Sequence, residues 1–140
     1  MMGNFVSGYI MRVSDDGVNY QGYLADIENT LEEFQSIVAG NIEVIRISDD
    51  VLAVLNECGK FNGLKPSRLW KVNDYLDVIY GNIVCVRSDN DGNFVSIQDE
   101  DIAVIKECLL AIKGIHNAEG NTVIVTVPDE YLEKWGVNNG

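Results

Sequence analysis

The sequence predicts an α+β fold, a mostly antiparallel sheet of about five to seven strands with two main helices and a short C-terminal helix. Three observations predict it. Asp-Gly turns separate strand-like runs at Asp16-Gly17 and Asp91-Gly92. A capping box opens an amphipathic segment at Thr30. The 140 residues match the length of one domain, so residues 1–140 are expected to share a single core.

Strand-like runs come first, Tyr9 to Val13 and Val18 to Leu24, on either side of Asp15-Asp16-Gly17. The second run alternates, with Val18, Tyr20 and Leu24 on one face and Asn19, Gln21 and Tyr23 on the other. Glycine supplies the positive φ that such hairpin turns require. In Thr30-Leu31-Glu32-Glu33 the hydroxyl and the carboxylate each offer a partner to an orphaned amide. Leu31, Phe34, Ile37 and Val38 then form one apolar stripe, and Gly40 reads as the stop.

Two apolar runs follow, Ile42 to Ile47 and Val51 to Leu55, and both read as strands covered on both faces. Residues 56–80 carry no clear period. Ile83 to Val86 is a further buried strand, and Asp91-Gly92 turns the chain before Phe94-Val95. A helix is expected from about Asp99 to Lys113, with acids in its first turn and Lys113 in its last, as the helix dipole favours. Val123 to Val127 reads as a final strand, and Pro128 opens a helix from Asp129 to Trp135.

Composition is that of a folded protein, 46% hydrophobic and 23% charged. The formal charge of −12 opposes binding to phosphate backbones or anionic lipid, so no direct nucleic-acid binding and no membrane association are expected. The N-terminal residues carry no secretion signal, and no apolar run reaches membrane-spanning length. Cys58, Cys85 and Cys108 are widely spaced among apolar neighbours and read as reduced core thiols, which places the chain in the cytoplasm.

Motifs for chemistry are sparse. The single histidine, His116, lies in a polar stretch from Gly114 to Gly120 and reads as a solvated loop residue. No nucleophile elbow, phosphate loop or dinucleotide fingerprint is present, and no cofactor, metal or catalytic residue is assigned. Asp89, Asp91, Asn93 and Glu100 have the spacing of calcium ligands in an EF-hand loop, but Phe94 stands where the loop needs glycine. The Asp-Gly turn explains these residues more simply.

Charge is unevenly placed. Residues 60–71 hold no acid and four bases, Lys60, Lys65, Arg68 and Lys71, whereas the segments before and after each sum to −8. Gly59 and Gly63 allow close backbone approach, and backbone amides beside a lysine or arginine can hold an anion. Arg68 has the fork geometry to grip a phosphate or carboxylate, and Phe61 and Trp70 can pack on a ring. The candidate ligand-binding residues are therefore Asn56, Glu57, Gly59, Lys60, Asn62, Gly63 and Arg68.

The order of Gly40-Asn41-Ile42-Glu43-Val44, Asn56-Glu57-Cys58-Gly59-Lys60 and Gly63-Leu64-Lys65-Pro66-Ser67-Arg68 resembles domain-of-unknown-function family 3846. The later order of Asp77, Ile79, Gly81-Asn82, Val84, Asp89, Asp91-Gly92-Asn93-Phe94, Ser96 and Asp99-Glu100-Asp101-Ile102 is similar to it too. The resemblance covers about residues 24–113, leaving an N-terminal hairpin extension at 1–23 and a C-terminal strand and helix at 117–140. It implies a phage, plasmid or conjugative-element setting, hence the host bacterial cytosol, and no established activity.

The expected function is that of a non-enzymatic accessory protein of a phage or plasmid that antagonises a host defence by binding. It would sequester a small anionic, nucleotide-like ligand or block a host defence protein. The alternatives are an acidic nucleic-acid mimic, a nucleotide-processing enzyme, or a housekeeping regulatory module of the element. Sheet-edge pairing allows a homo-oligomer.

Overall fold

The computed structural model describes residues 4–13, 22–72, 75–112, 114–117 and 123–126. Their elements are β1 (Phe5–Met11), β2 (Tyr23–Glu28), α1 (Leu31–Val38), β3 (Ile42–Arg46), β4 (Val51–Asn56), β5 (Pro66–Val72) and β6 (Tyr75–Tyr80). There follow β7 (Ile83–Ser88), β8 (Phe94–Val95), α2 (Asp99–Cys108), β9 (Leu109–Ala111), β10 (Gly114–Asn117) and β11 (Val123–Thr126). The α+β class expected from the sequence is the one observed.

Alternation of apolar side chains organises the main sheet, whose order is β2-β1-β7-β4-β3 with β8 on β7. All of its pairs are antiparallel. Every residue of β4 is buried. Its odd members Val51, Ala53 and Leu55 join one core cluster, and its even members Leu52 and Val54 join another. In β7, Ile83 and Cys85 divide from Val84 and Val86 in the same way. The central strands β4 and β7 therefore bury side chains on both faces of the sheet, and burying each such aliphatic side chain contributes about 1.5–3 kcal/mol.

One face receives α1 through Phe34, Ile37 and Val38, with Phe94 edge-on to Phe34 at a ring separation of 5.2 Å. The other face receives Ile105 of α2 together with Ile79 and Leu109 of a second antiparallel sheet, ordered β6-β5-β9. Strands β10 and β11 form a separate antiparallel pair.

Several expectations change. Strand β1 is an interior strand between β2 and β7 rather than an appended element, and β2 runs on to Glu28, beyond the expected end at Leu24. Strand β3 is the sheet edge, so its side chains are half-buried or exposed, not covered on both faces. Helix α2 stops at Cys108 instead of about Lys113. Leu109–Ala111 pair instead with Arg68–Trp70, satisfying backbone groups that a longer helix would leave open on β5. His116 lies in β10, opposite Ile124, not in a loop. The Asp15-Asp16-Gly17 turn and the Asp129 to Trp135 helix lie outside the described residues.

Thr30 caps α1 as expected, its Oγ1 accepting from the Glu33 amide at 3.2 Å. Its own amide donates to the Glu28 carbonyl at 2.8 Å, so that half of the predicted reciprocal pair is met by backbone. The left-handed residue that ends α1 is Ala39 (φ 64°, ψ 41°), not Gly40.

Candidate functional site

The site grows from the end of β4. Alternation sends Leu55 toward the second sheet and Asn56 toward α1. Asn56 is 3% exposed and fully partnered. Its Nδ2 donates to the carbonyls of Val38 and Ala39, each at 3.1 Å. Its Oδ1 accepts from the Cys58 amide at 2.8 Å and from Asn62 Nδ2 at 3.3 Å. Gly40 is required here for space, since a Cβ at that position would sit 2.6 Å from Asn56 Nδ2.

The chain then turns through residues 57–63. Asn62 N–H donates to Cys58 O at 2.8 Å, and Leu64 N–H donates to Gly59 O at 3.0 Å. Gly59 lies against β6: a Cβ there would meet the Tyr80 carbonyl oxygen at 2.7 Å. This close approach seats the turn across the end of the second sheet.

The result is a cleft of about 250 Å³ between the β3–β4 edge of the main sheet and strands β5 and β6. Ile45, Leu55, Val78 and Ile79 form its apolar lining, and Trp70, Tyr80 and Phe61 its aromatic one. Glu43, Glu57, Asp77 and Lys60 supply its charge, so acids outnumber bases three to one. Glu43 enters because β3 and β4 are paired with Glu43 opposite Leu55. Asp77 enters because it stands opposite Trp70. Trp70 is half-buried, while Phe61 is 88% exposed.

The sequence-predicted residues divide. Asn56, Glu57, Gly59 and Lys60 line the cleft. Asn62 and Gly63 are exposed and stand outside it, Asn62 bracing Asn56 and Gly63 turning the chain at φ 75°. Arg68 is the correction. The residue is 5% exposed, its Nη1 donates to Ser67 O at 2.8 Å, and it does not present a fork to solvent. Burial pushes the Tyr9 hydroxyl and the Cys85 thiol up, and the nearby Arg68 guanidinium pulls both partly back.

Cys58, expected in the core, is exposed at the cleft, whereas Cys85 is buried and Cys108 half-buried. Glu43, Asp77 and Tyr80 were not readable as site residues, because they come from strands whose pairing brings distant segments together. The calcium-like window is a self-contained turn. Asp89 Oδ1 accepts from the Asp91 and Asn93 amides at 2.9 and 2.8 Å, and Oδ2 accepts from Asn93 Nδ2 at 3.2 Å. Asn93's backbone and side-chain donors are the main reasons that this carboxyl is held below its ordinary range.

No curated protein and no solved structure gives a significant match to the chain. A family model does match, over residues 9–110, reaching back into β1 beyond the segment that carries the family-like motifs. The chain belongs to the family described as Domain of unknown function (DUF3846).

Proposed function

We propose that this chain is a non-enzymatic binding protein whose recognition site is the cleft between β3–β4 and β5–β6. On this reading it is an accessory protein of a phage or plasmid, acting in the host cytosol. It antagonises a host defence by covering a host protein. The mobile-element setting is carried over from the family resemblance.

The single observation that supports binding at the cleft is Phe61, an aromatic ring left 88% exposed on the rim. Half-buried Trp70 and Tyr80 lie within the same lining. Exposed aromatic area beside a preformed depression is what a protein interface uses for its anchor contacts. Two features favour a protein partner over a sequestered anion. The lining is net acidic, and Arg68 is buried. The volume of about 250 Å³ is also below the roughly 300–1,000 Å³ usual for small-ligand pockets.

The test uses Phe61→Ala, which removes exposed area and costs the fold little. A host protein recovered with the wild-type chain is purified, and its affinity is measured for both forms. The expected result is a loss of about tenfold or more in Phe61→Ala, about 1.4 kcal/mol or more. Equal affinity, or tight binding of a nucleotide by the wild-type chain, contradicts the reading.

A further inference from the structure

We infer that the cleft is a receptor for one arginine side chain presented by a basic segment of the protein partner. The inference rests on the cleft being the partner's docking site and adds the chemistry of what enters it.

Charge complementarity carries the argument. Glu43, Glu57 and Asp77 are all exposed, and among the described residues none of them is in an ion pair. Glu57 Oε1 accepts from the neutral Asn41 Nδ2 at 3.2 Å, so its negative charge is oriented but uncompensated. Lys60, the opposing base, is exposed on the turn and leaves the lining two charges negative. The three carboxylates of the lining come from three separate elements: Glu43 from β3, Glu57 from the turn and Asp77 from β6.

The aromatic residues select among cations. Trp70, Tyr80 and Phe61 line the cleft, and aromatic rings attract a cation most strongly when it is partly desolvated. A guanidinium is planar, weakly hydrated and able to stack on such a ring while its edge donates to carboxylates in pairs. An ammonium is compact and strongly hydrated, and suits the aromatic part less well. Ile45, Leu55 and Val78 provide apolar wall for the methylene stem of the side chain. The cleft holds the volume of on the order of eight waters, the scale of one long side chain.

Arginine thus satisfies both halves of the lining, the acids with its edge and the rings with its face. A phosphate group satisfies neither.

The experiment is a nuclear magnetic resonance titration of the full chain with a blocked pentapeptide carrying one central arginine between serines and glycines. Two further peptides carry lysine or the neutral isostere citrulline at that position. The expected result is saturable shifts at the Gly59 to Phe61 amides and the Trp70 indole. Affinity should fall about tenfold with citrulline and by a smaller factor with lysine. The double variant Glu57→Gln and Asp77→Asn should lose about tenfold for the arginine peptide. Its own spectrum reports that it is folded.

Equal affinity for citrulline, no shift with arginine, or shifts spread over the acidic surface and unmoved by the double variant would each overturn the inference. Failure here and failure of the docking reading are separable. A partner that binds the double variant normally but loses affinity for Phe61→Ala removes the arginine and keeps the cleft. A partner indifferent to Phe61→Ala removes both.

Discussion

Asn56 Nδ2 donates to the Ala39 carbonyl at 3.1 Å, which joins the left-handed end of α1 to the turn that closes the cleft. Because Asn56 Oδ1 holds the Cys58 amide, one buried carboxamide bridges the end of α1 and the start of the turn. Truncation orphans the Cys58 amide and removes the donor shared by two helix-terminal carbonyls. Asn56→Ala should therefore lose about 2–4 kcal/mol of stability in urea denaturation. Asn56→Asp should not rescue it, since it turns an oxygen toward those carbonyls. A loss under about 1 kcal/mol in both variants would show that the carboxamide does not hold the turn.

The main sheet and α2 are joined by Arg87 and Asp101. Arg87 Nε and Nη2 donate to the two Asp101 oxygens at 2.7 and 3.2 Å, and Asp101 is 3% exposed. Asp101 Oδ2 also accepts from the Gln98 amide at 2.8 Å, so one carboxylate starts the helix and fixes it to β7. Arg87→Ala leaves the buried Asp101 carboxylate without its guanidinium and should lower the thermal midpoint by roughly 10 °C, whereas Asp101→Ala should cost less, since Arg87 is part-exposed and keeps Asp50 at 3.6 Å. The double variant should fall clearly short of the summed loss. Additive losses would mean that the two residues act independently.

Acid should weaken the Asp89 turn in a defined direction. Donors from Asn93 and Asp91 hold the folded carboxyl below the ordinary range, so Asp89 contributes stability above the unfolded value of about 3.9. That contribution is lost as pH falls through the lower folded value. The midpoint difference between wild type and Asp89→Ala should be constant near neutrality and narrow below about pH 4. A gap that does not change with pH would contradict this account of the turn.

The sequence exposes those parts of the fold that depend on local chemistry. Thr30 caps α1, Asp91-Gly92 turns the chain, and the apolar runs of β4 and β7 are buried. It conceals what tertiary pairing decides. Leu109 to Ala111 fit a helical period but become a strand because β5 offers an open edge. Residues 66–80 lack an alternating signature, yet they supply Trp70, Asp77 and Tyr80 to the cleft. The basic segment was visible as a charge anomaly, but strand direction buried Arg68 and left Lys60 as its contribution. Glu43 was legible as an acid and not as a cleft residue, because its place depends on register with Leu55.

The most direct measurement is amide hydrogen exchange of the chain, free and in complex with a purified host protein that meets the proposed reading. If recognition occurs at the cleft, protection on binding should concentrate in residues 43–47, 56–64 and 77–81. The far edge of the main sheet and the exposed acids Glu28 and Glu32 should exchange as they do in the free chain. Protection centred on β2 and α1, with the cleft turn unchanged, would contradict the account and favour recognition through the acidic face instead.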